Sequence, residues 1–342
     1  MSQADSIPPA QGSADQPGKS EPKVFHVSSA PHLTEGATTR RIMFEVLAAM
    51  LPMFIIAVYM FGGWALALTV ATVAGCLVAE AATNMIRGRG QASLGDGSAI
   101  VTGVILAFSL PPSLNPYMAF IGGAVAILLA KAVFGGLGQN LFNPAMVGRA
   151  FLMVCFPGAM VNFVPTRLME AAGVDATTMA TPLYAAARHL AELPSQWELL
   201  IGNVGGCVGE TSALAALVGG LWLVLRRVAD WRQPVAVLGS VAVFAAIAHW
   251  LAPDKYQGVL YNLNSGALMF GAFFIATDYV GAPVTPKGRW IFGIGVGVLV
   301  MVIRLFGAYP EGFMFAILIM NALTPLIERW TTPTPFGGHV AA

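Results

Sequence analysis

Ten apolar stretches, broken by short polar or glycine-rich runs, fill the chain between residues 42 and 328: 42–61, 63–86, 97–112, 116–134, 141–160, 209–227, 233–252, 264–279, 289–308 and 312–328. Several reach the roughly 20 residues that an α-helix needs to cross a hydrocarbon core. Two fall short, 97–112 and 264–279, and both open with Gly, Ser or Asn. The pattern predicts an all-α polytopic membrane protein of about ten transmembrane helices.

The stretches divide five and five at a spacing of about 168 residues, so that 42–61 falls on 209–227, 63–86 on 233–252 and 97–112 on 264–279. Asp96-Gly97-Ser98-Ala99 lines up with Asn264-Ser265-Gly266-Ala267, and Gly103 with Gly271. An odd number of spans per half gives the halves opposite orientations. Two inverted five-helix repeats with short, interrupted third helices are a transporter-like plan. Backbone groups freed at such interruptions must find partners within the protein, so the interface of the halves is the place to look for an ion or a cofactor. The expected order is a flexible cytoplasmic tail over 1–40, a first membrane repeat over 41–160, and a periplasmic connection over 161–208. A second repeat over 209–330 and a cytoplasmic tail over 331–342 complete it.

Composition agrees with the pattern. Of 342 residues 56% are hydrophobic and 10% charged, and the mean hydropathy is +0.71, whereas a soluble domain carries about 25% charged residues. The first 40 residues are polar, rich in Pro, Ser and Gln, and lack an apolar run. They bury too little surface to fold alone, and no charged start followed by an apolar stretch marks a signal peptide. A net charge of +1 gives no reason to expect a nucleic-acid partner. The positions of the charges are more telling. With the amino terminus in the cytoplasm, Arg40, Arg41, Arg87, Arg226, Arg232 and Lys287 all fall on the inner side, and short outer loops receive little more than Lys255. The positive-inside bias therefore places both termini in the cytoplasm and residue 211 on the outer face.

The residues that offer chemistry are few. Gly209-Glu210-Thr211-Ser212-Ala213-Leu214 puts hydroxyls beside a carboxylate at the mouth of an apolar segment. By itself that grouping is most simply a helix cap, a hydroxyl satisfying the first backbone N–H groups. Gly135-Gly136-Leu137-Gly138-Gln139-Asn140-Leu141-Phe142-Asn143-Pro144 reads either as a tight turn with Asn143 capping a helix at Pro144, or as a polar pocket for a heteroaromatic ligand. Arg149 lies two turns further on, and a charge at that depth requires a partner or nearby water. Asp96 and Asp278 end the short third segments, and Glu80 and Arg304 lie in or near spans. The carboxylates are candidate cation or proton ligands, or merely solvated caps. Cys76, Cys155 and Cys207 have no C-x-x-C spacing, and the five histidines form no helical ligand pair, so no metal site is expected.

The motifs together resemble the NqrB/RnfD family, whose members belong to Rnf complexes and, more distantly, to Na⁺-translocating NADH:quinone reductases. The resemblance covers about 30–335 and rests on Ser29-Ala30-Pro31-His32, Asp96-Gly97-Ser98-Ala99, Phe134 to Asn140, Phe142 to Phe151, Gly209 to Leu214, Gly271 to Asp278 and Met320 to Leu326. It implies FMN joined covalently to Thr211 through a phosphoester by a flavin transferase, with Glu210 and Ser212 at the same site. It also implies a second, non-covalent flavin, riboflavin, near Asn140 and Asn143 on the cytoplasmic side. The implied function is membrane electron transfer in a bacterial inner-membrane Rnf-type complex, coupling electron flow between NADH and ferredoxin or flavodoxin to Na⁺ or H⁺ translocation, with Asp96 and Asp278 on the ion path. The chain lacks a G-x-G-x-x-G nucleotide motif and cluster ligands, so partner flavin and iron–sulfur subunits must complete the reaction. The alternative is a non-redox channel or solute transporter of the same inverted-repeat plan.

Overall fold

A computed structural model describes residues 38–88, 91–173, 178–188, 193–210, 212–307 and 311–333. Most of both tails, and Thr211 itself, lie outside the described residues. Among the described residues the ordered elements are helices, with one isolated β-bridge between Phe163 and Met179.

The first half opens with α1 (Thr39–Phe61) and α2 (Gly63–Ile86), both long and apolar enough to span. The Thr38 hydroxyl caps α1 by accepting from the Arg41 N–H at 3.3 Å. A single residue, Gly62, turns the chain from one helix into the next. The third segment is short, as expected. A 3₁₀ turn, Gln91–Asp96, leads into α3 (Ser98–Phe108), and Asp96 Oδ1 accepts from the Ser98 N–H at 2.7 Å. Helix α4 (Pro116–Ile127) continues into a π turn, Leu128–Ala132, and α5 (Pro144–Cys155) closes the half. Both start with proline at the first turn, where no N–H is needed, behind an asparagine cap. Helix α5 stops at Cys155, so the stretch expected over 141–160 breaks before a separate turn, α6 (Pro157–Met160).

The connection between the halves carries three short helices, α7 (Arg167–Ala171), α8 (Pro182–Ala187) and α9 (Gln196–Ile201). The second half then runs α10 (Ala213–Leu225), α11 (Arg232–Leu251), a broken third segment, α14 (Pro286–Phe306) and α15 (Phe313–Thr331). The expected stretch 264–279 is more fragmented than its pattern implied. It divides into α12 (Val259–Asn264), α13 (Leu268–Phe270) and a π turn, Gly271–Ile275.

The two halves pair their elements alike. In the first, α2 packs on α4 and α3, and α4 on α5; in the second, α11 packs on α14 and α12, and α14 on α15. The leading helices, α1 and α10, pack on each other, and Arg226 Nη2 reaches Glu45 Oε1 across them at 3.0 Å. The interrupted segments also match. A left-handed glycine precedes each: Gly97 at φ +83° and Gly266 at φ +67°, a conformation that side chains with a Cβ seldom adopt. A cation from beyond or near the end of the fourth helix grips each start. Lys131 Nζ donates to Ser98 Oγ at 2.7 Å, and Arg304 Nη2 donates to the Ser265 carbonyl at 2.9 Å. Among the described residues five helices are long and apolar enough to span, α1, α2, α11, α14 and α15, and the other apolar helices of the two halves are shorter.

Small residues let the helices approach. A Cβ on Gly123 would strike the Thr72 carbonyl of α2, and one on Gly297 would lie 2.7 Å from the Val237 carbonyl of α11. Close backbone contact of this kind replaces the hydrophobic effect as the cohesive force between helices in lipid. Between the halves, Phe54, Phe108, Phe270 and Phe274 form a chain of rings with centroids 6.4, 5.9 and 5.7 Å apart. Phe108, Phe270 and Phe274 are buried.

Candidate functional site

Two polar sites lie at opposite ends of this interior. The first is built around the loop that enters α10. The Ser195 and Glu198 capping box starts α9, and Gly202, at φ 103°, ends it. The loop then folds back on the chain after α3: the Val208 N–H donates to Leu110 O at 3.0 Å and the Gly209 N–H to Phe108 O at 2.8 Å. This places Cys207, Glu210 and Ser212 in the interior, all at 9% exposure or less.

Arg149, from α5, is the centre of the site. Its Nη1 lies 3.3 Å from Glu210 Oε1, and its Nη2 lies 3.3 Å from Glu311 Oε2 and 3.6 Å from Cys207 Sγ. The second Glu311 oxygen accepts from the Ala267 N–H, at the start of the broken third segment. The sulfur and carboxylate oxygens of Cys207, Glu210 and Glu311 lie within 4.8 Å of one another. With a guanidinium bonded to all three, the group is a charge-paired cluster rather than a cation cage. A cavity of about 70 Å³ opens on Arg149, Glu210, Glu311 and Gly266.

The capping expectation at Ser212 matches the geometry. Its hydroxyl donates to the Leu200 carbonyl at 3.0 Å and accepts the Ala215 N–H at 3.2 Å, which engages it on both sides. Glu210, expected at the site from sequence, faces Arg149. Thr211, between them, lies outside the described residues.

The second site is at the other end, where the amino ends of α3 and α5 meet the carboxyl end of α10 and the end of the broken segment. A cavity of about 90 Å³ has Asn140, Asn143, Thr277 and Asp278 on its polar side and Val46, Ile105, Leu223 and Phe274 on its apolar side. It shares Val228, Ala229, Thr277, Asp278 and Tyr279 with an open groove of about 410 Å³. Asn143 carries two loads. Its Oδ1 caps α5 by accepting from the Met146 N–H, and its Nδ2 donates to Asp278 Oδ2 at 3.3 Å. The Asn143 N–H donates to Asn321 Oδ1 at 3.1 Å, and Asn321 in turn donates to the Gly281 carbonyl at 2.8 Å. The network stitches the two halves together. Asn140 Nδ2 donates to the Phe142 carbonyl at 3.2 Å, and Tyr279 donates to the Val228 carbonyl at the rim.

Three residues expected from sequence, Asn140, Asn143 and Asp278, thus share one cavity. Asp96 does not join them; it caps α3 and is not among the cavity's lining residues. Two charged residues escaped the sequence reading. Glu311 precedes the last span and looks like a solvated end, since nothing local links it to Arg149, 162 residues away. Lys131 did leave a signal, a lone cation in the apolar run 116–134. Its partner is Glu80, with Nζ 2.8 Å from Oε1.

The groove's mouth carries Asp230, in the loop before α11. Burial alone raises its carboxyl. The Arg232 N–H at 2.8 Å and the Arg289 and Arg232 guanidiniums outweigh that and hold it below the ordinary range.

A model of the NQR2, RnfD, RnfE family matches residues 26–337. The D component of the Na⁺-translocating ferredoxin:NAD⁺ oxidoreductase complex of Acetobacterium woodii is 42% identical over 91% of this chain and 95% of its own. Its counterpart in the proton-translocating ferredoxin:NAD⁺ oxidoreductase complex of Clostridium ljungdahlii is 38% identical over 92% and 96%. The counterpart in the ion-translocating oxidoreductase complex of Halorhodospira halophila is 40% identical over 90% and 94%.

Proposed function

The chain belongs to the NQR2, RnfD, RnfE family, and from that premise we propose that it is the flavin-carrying electron-transfer subunit of an Rnf-type complex. In this reading the complex couples electron flow between NADH and ferredoxin or flavodoxin to Na⁺ or H⁺ movement. The chain lies in a bacterial inner membrane, with both termini cytoplasmic and Thr211 on the periplasmic side. Other Rnf-type flavin and iron–sulfur subunits supply nucleotide binding and the remaining redox centres.

The observation that carries the reading is the pair of polar sites at opposite ends of one buried ring chain. Phe108 bonds to the outer loop through its carbonyl, and Phe274 lines the inner cavity. FMN is assigned to Thr211. The hydroxyl of Ser212 is already engaged twice, which favours its neighbour as the acceptor. In the attachment step the threonine oxygen attacks the flavin-side phosphorus of FAD. A P–O bond forms, the anhydride bond breaks, AMP leaves, and the hydroxyl proton passes to the flavin transferase. Riboflavin is assigned to the inner cavity together with the open groove of about 410 Å³ that shares its lining, the amide edge and apolar wall of the cavity suiting one margin of a flat ring and the groove supplying the remaining room. Bound flavin supplies one- and two-electron chemistry. The chain's own residues position it: Asn140 and Asn143 offer amide donors and acceptors, Phe274 offers an apolar face, and Asp278 supplies a carboxylate by which a cation could be felt.

The test is co-expression of the full chain with a flavin transferase, followed by flavin fluorescence of the denatured gel band and mass mapping of the modified peptide. Wild type should fluoresce and Thr211→Ala should be dark. A dark wild-type band, with the transferase active on a control substrate, would return the chain to the non-redox transporter class.

A further inference from the structure

Lys131 sits between two cavities. With Ser98 it lines the inner cavity beside Asn140 and Asn143, and with Glu80 it lines a second cavity of about 220 Å³. Glu80 lines the second cavity and not the first. The buried ammonium donates to Glu80 Oε1 at 2.8 Å and to Ser98 Oγ at 2.7 Å, which among the described residues takes two of its three N–H donors. The pair is therefore a dipole with its positive end toward the inner cavity. The amino end of α3, at Ser98, adds a partial positive charge beside it. Glu80 Oε2 is buried without a hydrogen-bond partner. A buried ion pair adds little net cohesion even when every atom is bonded, so packing gives no account of this one.

The surrounding charges leave Lys131 as the one cation among the inner cavity's lining residues, with Asp278 the one carboxylate. Asp278 is bonded by Asn143 Nδ2 at 3.3 Å and by the Val280 N–H at 3.4 Å. Asp96 is spent on the Ser98 N–H and lines neither cavity. Arg87, at the exposed rim of the second cavity, gives its guanidinium to the Ala132 carbonyl.

We propose that Lys131 sets the electron affinity of the flavin in the inner cavity, with Glu80 as the positioning residue that holds its ammonium there. This rests on the assignment of riboflavin to that cavity. Reduction brings an electron from a partner redox centre into a low-dielectric site, where added negative charge costs most if nothing positive faces it. The ammonium answers that charge from a fixed position. It keeps its proton, so no bond forms or breaks at Lys131. Glu80, bordering only the cavity beyond, opposes it more weakly at the ring and keeps the pair neutral as a whole.

The experiment is a redox titration, read by flavin absorbance, of the full chain expressed without a flavin transferase and loaded with riboflavin, so that only non-covalent flavin reports. Wild type is compared with Glu80→Gln and with the double variant Glu80→Leu with Lys131→Met, and tryptophan-monitored unfolding is run on the same samples. Glu80→Gln leaves an oxygen for the ammonium but removes the opposing charge, so the potential should rise. The double variant removes the dipole, so the potential should fall. Each shift should amount to at least a tenfold change in the ratio of reduced to oxidised flavin affinity, about 59 mV for a one-electron step. A loosened fold would move both variants the same way. Equal potentials in all three proteins, or shifts of the same sign, overturn the proposal and leave the riboflavin assignment intact. A wild type that retains no riboflavin through gel filtration overturns that assignment and the proposal with it. If the double variant does not fold or does not hold flavin, Glu80→Gln decides alone: a raised potential supports the role of Lys131, and an unchanged or lowered one overturns it.

Discussion

Lys131→Met tests how the first half is held together. Lys131 Nζ lies 2.8 Å from Glu80 Oε1 and 2.7 Å from Ser98 Oγ, and the two charged side chains are 5% and 6% exposed. At that separation the attraction is about 6 kcal/mol for an effective dielectric constant of about 20. Desolvation of both ions offsets most of it, so the intact pair contributes little net stability. Removing one member is different. Glu80 Oε2 already has no hydrogen-bond partner, and losing the lysine strands the whole carboxylate in an apolar interior. The expected cost is about 3–5 kcal/mol. The double variant Glu80→Leu with Lys131→Met strands no charge, only the neutral Ser98 hydroxyl loses its donor, and it should stand within about 1–2 kcal/mol of wild type. The assay is unfolding of detergent-solubilised protein in graded denaturing detergent, followed by tryptophan fluorescence. A single variant that unfolds like wild type, or a double variant as damaged as the sum of the singles, would refute the reasoning.

Two further predictions use the same unfolding assay. Gly297→Ala forces a Cβ to within 2.7 Å of a backbone carbonyl on α11, whereas Gly239→Ala meets nothing within 4 Å; the first should cost about 1–3 kcal/mol and the second should be neutral or stabilising, and equal effects would mean that α11 and α14 are not packed as described. Asp230→Asn tests a pH window. A carboxyl held below its ordinary value contributes stability above the unfolded value, about pH 4, and loses it as pH falls through the folded value. The gap between wild type and Asp230→Asn should therefore be constant from about pH 5 to 8 and shrink below about pH 4; a gap that persists into acid would show that the charge of Asp230 is not what its two arginines respond to.

The large features were legible because the membrane imposes them. Spans announce themselves by length, and Gly97 and Gly266, in stretches too short to cross, mark interrupted third segments by pattern alone. What the pattern hid was how an interruption is repaired. Residues 264–279 read as one short helix, yet Gly266 breaks the run and the Glu311 carboxylate, brought in from the loop before α15, takes up the Ala267 N–H. That contact, like Arg149 to Glu210 and Lys131 to Glu80, joins residues 44 to 61 positions apart. No local window contains both partners. Asn143 was legible as a cap, because an asparagine before a proline betrays one, whereas its bridge to Asp278, 135 positions away, was not. A hydroxyl cap at the start of α10 was legible too; Ser212 supplies it, with the N–H that it accepts only 3 residues away, while its bond to the Leu200 carbonyl was not foreseen.

The ring chain between the two polar sites also has a consequence for traffic. Phe108, Phe270 and Phe274 are packed with almost no exposure and offer only carbon to anything passing between them. Stripping an ion of its water in such a setting costs tens of kcal/mol by solvation alone. An electron needs no hydration shell and no opening, only closely packed atoms. This line of rings is therefore a barrier to a sodium ion or a bare proton and no barrier of that kind to an electron.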